Sequence, residues 1–280
     1  MRIAYTMNGL VGGLSGKNSS GSPRDDQLLV LSYVSQILKK YIVPYNNVDF
    51  FIFSWHTDFK EEFIKRLSPK AIKLLPQIDF KIPEHLRGEH IGRVMAHKSR
   101  WYGFKEVMNL VSDYEKENNF EYDLVVNARL DTCWNRPFKF EELSPYKFHI
   151  PIHPDIPNYG WPTGGKHPTF ASSTVEMLDH VFASKSSWMK GYSSMFDFLD
   201  EYTLPSQCPQ WKTISNHFLM IWHLRKLGLL SDNHVQKSFK TLHEANPKYI
   251  VDDFTNKNTD YDIFRFRQLT REQIVSSVNG

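Results

Sequence analysis

Apolar residues in the first half of the chain gather in short, nearly continuous runs, separated by longer stretches with helical periodicity. Residues 2–7, RIAYTM, read as a strand. VDFFIFSW, 48–55, reads as a buried strand, because a run without polar alternation needs cover on both faces. AIKLLP, 71–76, is a third strand and YDLVVNARLD, 122–131, a fourth, in which only Asn127 interrupts the apolar run Leu124, Val125, Val126 and Ala128. Between these runs, residues 26–42 place Leu28, Leu31, Ile37 and Leu38 near one helical face, with Asp25 or Asp26 as the cap. Asp58 and Glu61 have capping-box spacing for a helix at 59–67. Residues 97–117 form a long amphipathic helix, with Phe104, Met108, Val111 and Tyr114 at helical spacing. The segment 77–95, with Pro83, two Gly and five basic or imidazole side chains, reads as an irregular excursion over the sheet edge. Strands alternating with helices predict a mainly parallel central sheet flanked by helices, an α/β fold of Rossmann-like kind.

The second half is less regular. KFHIPI, 147–152, is strand-like, 153–168 is a loop rich in Pro, Gly and aromatics, and TFAS, 169–172, is a short strand. Ser173 and Glu176 signal a helix at 174–184, and two further helices are expected at 190–202 and 212–227. Little regular structure is expected after Thr255. The 280 residues read as one domain, with 1–135 as a ligand-binding half and 136–280 as a second half plus C-terminal tail.

Composition narrows the function. The 34 Lys and Arg against 31 Asp and Glu leave a net charge of +3, which argues against nucleic acid as the main partner. Cys133 and Cys208 fit no CxxC pattern, which argues against structural zinc and suits a reduced compartment. No apolar run reaches transmembrane length, and the first residues read as a strand plus a Gly-rich loop rather than a signal peptide. The expectation is a soluble, cytoplasmic protein.

The candidate chemistry sits where the strands end. Arg129 and Asp131 follow the buried fourth strand, at the end where open α/β sheets bind ligands. The fork of Arg129 suits phosphate oxygens, and Asp131 offers a hard oxygen to Mg²⁺ or Mn²⁺. A surface ion pair is the alternative reading of the same spacing. The loop Asn8–Asp26 after the first strand holds five Gly and four Ser, permitting close backbone approach to a nucleotide, although it lacks the spacing of a P-loop. Asn8 and Gly9, where that loop opens, and His56, at the end of the second strand, border the expected nucleotide pocket. Lys98 and Arg100, in the first turn of the long helix, either reach a diphosphate or are solvated helix charges. Tyr159 and Trp161 offer flat faces on which a sugar can stack, or a cover for the core edge.

The stretch SRWYGFKEVMNLVSDYEKENNFEYDLVVNARLD resembles a segment of small bacterial and large-DNA-virus glycosyltransferases of the GT-A type. In them a Trp/Tyr-bearing helix leads to a strand ending in Arg-x-Asp in place of the Asp-x-Asp of other GT-A enzymes. TFASSTVEMLDHV resembles a second stretch of that family, and the likeness covers roughly residues 95–185. It implies a nucleotide-sugar donor, a UDP-sugar with xylose as the first candidate, and a glycan or glycoprotein acceptor. A virus-encoded enzyme building capsid glycans in the host cytoplasm is one form this takes. Asp131 would hold Mn²⁺ or Mg²⁺, Arg129 would neutralise the leaving diphosphate, and His243 would supply a late metal or diphosphate contact. The relatives' Asn-Asp-Gln-Phe-Ala is here His167-Pro168-Thr169-Phe170-Ala171, without the carboxylate. An inverting transfer needs a general base. Asp155 is the first candidate and His167 the second, with Asp197 and Asp200 as alternatives. A carbohydrate or nucleotide-sugar binder that has lost catalysis is the competing reading.

Overall fold

The buried runs pair as parallel neighbours. In the computed structural model β1 (Arg2–Gly9), β2 (Asn47–Ser54) and β4 (Leu124–Arg129) lie side by side, with β1 in the middle. The structure describes residues 1–12, 23–86, 90–152, 179–204, 216–231, 234–240 and 262–265. Among these, β3 (Ala71–Leu74), β6 (Phe148–Ile152), β7 (Val181–Ser184) and β8 (Val235–Lys240) complete a seven-stranded sheet of order β3-β2-β1-β4-β7-β6-β8. The pairs β1–β2, β1–β4, β2–β3 and β6–β8 are parallel, while β7 runs antiparallel to both β4 and β6. Two short strands, β5 (Thr132–Trp134) and β9 (Ile263–Arg265), pair separately.

Each central strand is largely apolar on both faces because helices cover both. Tyr5, Met7, Ile52, Leu124 and Val126 pack with α1 (Arg24–Tyr41) and α2 (Lys60–Leu67). Ala4, Phe51, Phe53 and Val125 face the other way, onto α3 (His90–Asn118), α4 (Ser186–Ser193), α5 (Met195–Tyr202) and α6 (Asn216–Lys226). The result is a mixed α/β domain with a central sheet flanked by helices. No helix among the described residues is long and apolar enough to cross a membrane.

Several expectations change. The helix at 174–184 is overturned over its last turn, where Val181–Ser184 is β7. A four-residue apolar run carries too few positions to separate a strand from a helix, and cover on both faces decides it. Neither Asp25 nor Asp26 caps α1. Pro23 stands at the cap, and the two carboxylates lie in the first turn, where they favour the helix dipole. Asp58 does not cap α2 but pairs with Arg24. The long helix begins at His90 rather than 97, inside the segment read as irregular, so Lys98 and Arg100 stand well past its first turn. The helix expected at 190–202 is interrupted at Ser194, whose hydroxyl donates to the Gly191 carbonyl at 2.7 Å. The tail after Thr255 contributes β9. The strand expected at 169–172 lies outside the described residues.

Two histidines are held neutral inside the core. His149 is fully buried, its Nδ1 facing the Ser238 hydroxyl and its Nε2 the Ser144 carbonyl, each at 2.7 Å. His223, also fully buried, meets the Tyr202 hydroxyl through Nδ1 at 2.6 Å, and burial pushes its pKa from 6.5 down to about 4. Burial lowers His149 as well. An unfolded chain takes up these protons near pH 6.5 while the folded chain resists them. Stability is therefore expected to fall as pH drops from about 6.5 to 4, by roughly 3 kcal/mol for His223. Urea unfolding at stepped pH measures this, and His223→Gln should flatten the slope.

Gly103 lets α3 sit directly on the sheet. A Cβ there would lie 3.0 Å from the Phe53 ring and 3.1 Å from the Asn8 amide nitrogen. Gly103→Ala gains about 1 kcal/mol of helix propensity but overpacks this contact, which costs about 1–3 kcal/mol. A lower urea midpoint for the variant is the expected outcome, and a higher one would show that the helix has room to shift.

Candidate functional site

Counted along the sheet, β2 and β3 extend from one side of β1 and β4 lies on its other side. The crevice between the carboxyl ends of β1 and β4 is therefore a topological switch point, the place where open α/β sheets take ligands. Asn8 of β1 and Arg129 of β4 are register partners there.

A buried polar network fixes this crevice from below. The Asn127 amide nitrogen donates to the Thr6 hydroxyl at 2.9 Å and to Asn8 Oδ1 at 3.0 Å. Asn8 Nδ2 donates to the Arg100 carbonyl at 3.0 Å, which ties β1 to α3. The Arg100 guanidinium answers by donating to Asn8 Oδ1, to Asn127 Oδ1 (2.9 Å) and to the Asp179 carbonyl (3.0 Å). Thr6, Asn8, Arg100 and Asn127 are all buried. Burial lowers the Arg100 pKa to about 10, against the pull of Asp179, so it stays charged at neutral pH. Its Nε is buried without a hydrogen-bond partner, 3.7 Å from Asp179 Oδ2.

Above this layer, Arg129 bridges two carboxylates. Nε donates to Asp131 Oδ1 at 3.1 Å and Nη1 to Asp179 Oδ2 at 3.3 Å. The Arg129 side chain is 30% exposed, whereas those of Asp131 and Asp179 are 8% and 9% exposed, so Arg129 is the least buried of the trio. Burial pulls its pKa down, but Asp131 and Asp179 more than offset that and the net shift is upward. Asn216 Nδ2 also donates to Asp179 (3.1 Å), and the Trp101 indole holds Asn216 in turn (3.0 Å).

The loop leaving β1 crosses between the ends of β2 and β4. Gly9, at φ +115°, turns the chain, and its carbonyl accepts from the Ser54 hydroxyl at 2.9 Å. Val11 hydrogen-bonds His56 through its backbone. A Cβ on Gly12 would lie 3.0 Å from Asp131 Cβ, so the loop passes directly over that carboxylate. His56 stacks on Phe59 (4.8 Å, 18°), and burial together with Arg24 lowers its pKa despite the Val11 bond. Its Nε2 is buried without a hydrogen-bond partner, so the bond to Val11 runs through Nδ1.

The structure thus gathers Asn8, Gly9, His56, Arg100, Arg129 and Asp131 around one crevice. Asp155, Tyr159, Trp161, His167 and His243 lie outside the described residues. The first four belong to the stretch between Ile152 and Asp179, and both of those anchors are on the crevice end of the sheet, because β6 ends there and β7 begins there. Lys98 donates to the Lys81 carbonyl (2.7 Å) and pairs with Asp200, and Lys105 pairs with Asp197. Residue spacing does not mark Asp179, Asn127 or Asn216 as members of this cluster. Asp179 lies in MLDHV, where nothing local marks it, whereas Asn127 stands out as a polar residue inside an apolar strand. Among the described residues no three His, Cys, Asp or Glu side chains gather to hold a metal. Two carboxylates sharing one guanidinium still fit the donor set of Mg²⁺ or Mn²⁺ sites that rely on substrate phosphates for further oxygens. No family model matches the chain, and no curated protein matches it.

Asn127→Ala removes acceptor and donor together from Arg100, Asn8 and Thr6. A loss of about 2–3 kcal/mol is expected by chemical denaturation. A loss below about 0.5 kcal/mol would show that water replaces the amide at no cost.

Proposed function

We propose that the protein is a GT-A-type glycosyltransferase that binds a nucleotide-diphosphate sugar, first of all a UDP-sugar, in the crevice between β1 and β4. The observation that carries this reading is the convergence of Arg129, Asp131 and the Gly9–Gly12 loop at the switch point of the sheet. The part-exposed side chain of Arg129 suits the diphosphate oxygens, and His56, whose pKa burial lowers, borders the loop on the nucleoside side. A divalent cation held through Asp131 would supply further charge stabilisation to the departing diphosphate. In the transfer, an acceptor hydroxyl oxygen forms a bond to the anomeric carbon, the bond from that carbon to the diphosphate oxygen breaks, and the hydroxyl proton passes to a general base. Asp155 and His167 are the candidates for that base, with Tyr159 and Trp161 as the acceptor platform and His243 as a late diphosphate or metal contact. Xylose is the first donor sugar to assay.

A binder without turnover is the second reading. It is favoured by the two alternative bases that are described, since Asp197 and Asp200 are each tied to a lysine of α3.

Thermal shift with UDP-sugars and Mn²⁺ tests the donor site. A ligand at about 100 times its Kd stabilises by roughly 2.7 kcal/mol, and Arg129→Ala should abolish that shift. Slow donor hydrolysis without acceptor, lost in Asp131→Ala, supports the enzyme. Binding with no hydrolysis and no transfer supports the binder, and no response to any nucleotide sinks the glycosyltransferase and leaves only a binder of carbohydrate.

A further inference from the structure

Three stretches distant in sequence meet at the rim opposite the crevice. The turn before β6 brings Tyr146, the segment from the end of β7 into α4 brings Lys185 and Trp188, and the turn before β8 brings His234. The Lys185 amide donates to the Pro145 carbonyl at 3.2 Å, which ties the first two stretches together. The side chains then form a row. Lys185 Nζ lies 5.3 Å from the centre of the Tyr146 ring and 4.8 Å from that of Trp188. His234 meets Trp188 edge to face, with ring centroids 5.4 Å apart, and its Nδ1 faces the Ser231 hydroxyl at 2.9 Å. Tyr146 is 68% exposed, more than any other large hydrophobic side chain described. Lys185 forms no ion pair among the described residues, and the two rings are the side-chain partners of its charge. Ser144, Ser187 and Ser231 are exposed around the row. The strongly exposed apolar area is therefore that of one ring, bordered by hydroxyls and a cation. A protein partner needs a much larger face, roughly 800 Å² a side, and a nucleic acid needs a run of cations. One saccharide unit matches what is there. The C–H face of a sugar ring can stack on Tyr146, its hydroxyls can meet the serines, and a carboxylate on the ring can pair with Lys185.

We infer that Tyr146, Lys185 and Trp188 form a surface site for an acidic saccharide, a uronate unit within a longer glycan. The site stands apart from the crevice. β6, five residues long, separates the two rims by about 17 Å. A glycan held on the Tyr146 rim keeps its reacting end near the protein, which raises the effective concentration of that end at the crevice without any new contact there. This role rests on the glycan acceptor proposed above, whereas the binding itself does not.

Titration of the isotope-labelled full chain, followed by NMR, tests it. Trigalacturonate is the acidic probe, maltotriose the neutral one, and citrate a carboxylate without a sugar ring. Trigalacturonate should shift the Trp188 indole signal and bind more tightly than maltotriose. Tyr146→Ala should weaken trigalacturonate about tenfold. Lys185→Gln should weaken it about three- to fivefold, to the level of maltotriose. Neither variant should change the thermal shift given by a UDP-sugar with Mn²⁺. Citrate binding as tightly as trigalacturonate overturns the inference in favour of a bare anion site. Binding that survives Tyr146→Ala but is lost in Arg129→Ala puts the saccharide in the crevice and overturns it too. So does the absence of any shift with trigalacturonate, in a chain whose spectrum is that of a folded protein. Trigalacturonate bound at Trp188 by a chain that answers to no nucleotide leaves the surface site standing and removes the glycosyltransferase reading.

Discussion

The Arg100 guanidinium is the constraint on which the rest of this architecture depends. It arises from α3, yet its hydrogen bonds go to β1, to β4 and to the backbone just before β7. A buried cation of this kind tolerates few alternatives, because displacing it would leave charge and several amide groups unsatisfied at once. The helix is thereby locked in axial position against the sheet, and Gly103, one turn along the same face, allows the approach that Arg100 requires. Arg129 and Asp131 can sit above a rigid floor only because this lower layer is saturated.

The parts of the fold that could be read from the chain are those whose causes are local. The strands β1, β2 and β4 are covered on both faces, so their sequences lose polar alternation and announce themselves. The covering helices repeat apolar residues at their own period. β7 is different in kind. Its four residues are too short to carry a period, and its place between β4 and β6 follows from partners distant in sequence. The caps failed for a related reason: Asp58 is drawn to Arg24, 34 residues away, and a tertiary ion pair outcompetes a local cap.

The site divides along the same line. The position of Arg129 and Asp131 at a strand end was legible because it depends only on where the apolar run stops. Asp179 was not, since its meaning comes from Arg129, 50 residues earlier, and Asn216, 37 residues later. Arg100 was legible as a cation but not as a buried one, since its amide partner Asn8 is 92 residues distant. Asn127 did carry a signal. A carboxamide inside a run of aliphatic residues can remain in a strand only if the interior supplies its partners, and here Thr6, Asn8 and Arg100 do so.

The reversed sense of β7 has a consequence for how such a protein can change. With β7 antiparallel, its beginning meets the ends of β4 and β6. The carboxyl ends of β1, β2, β3, β4, β6 and β8 and the start of β7 therefore lie on one rim, and the opposite ends of these strands lie on the other. Segments on the first rim can be exchanged without disturbing the packed layers beneath. The second rim, where Tyr146 stands 68% exposed beside Lys185, is the end from which the domain can be tethered or fused without crowding the cluster around Arg129.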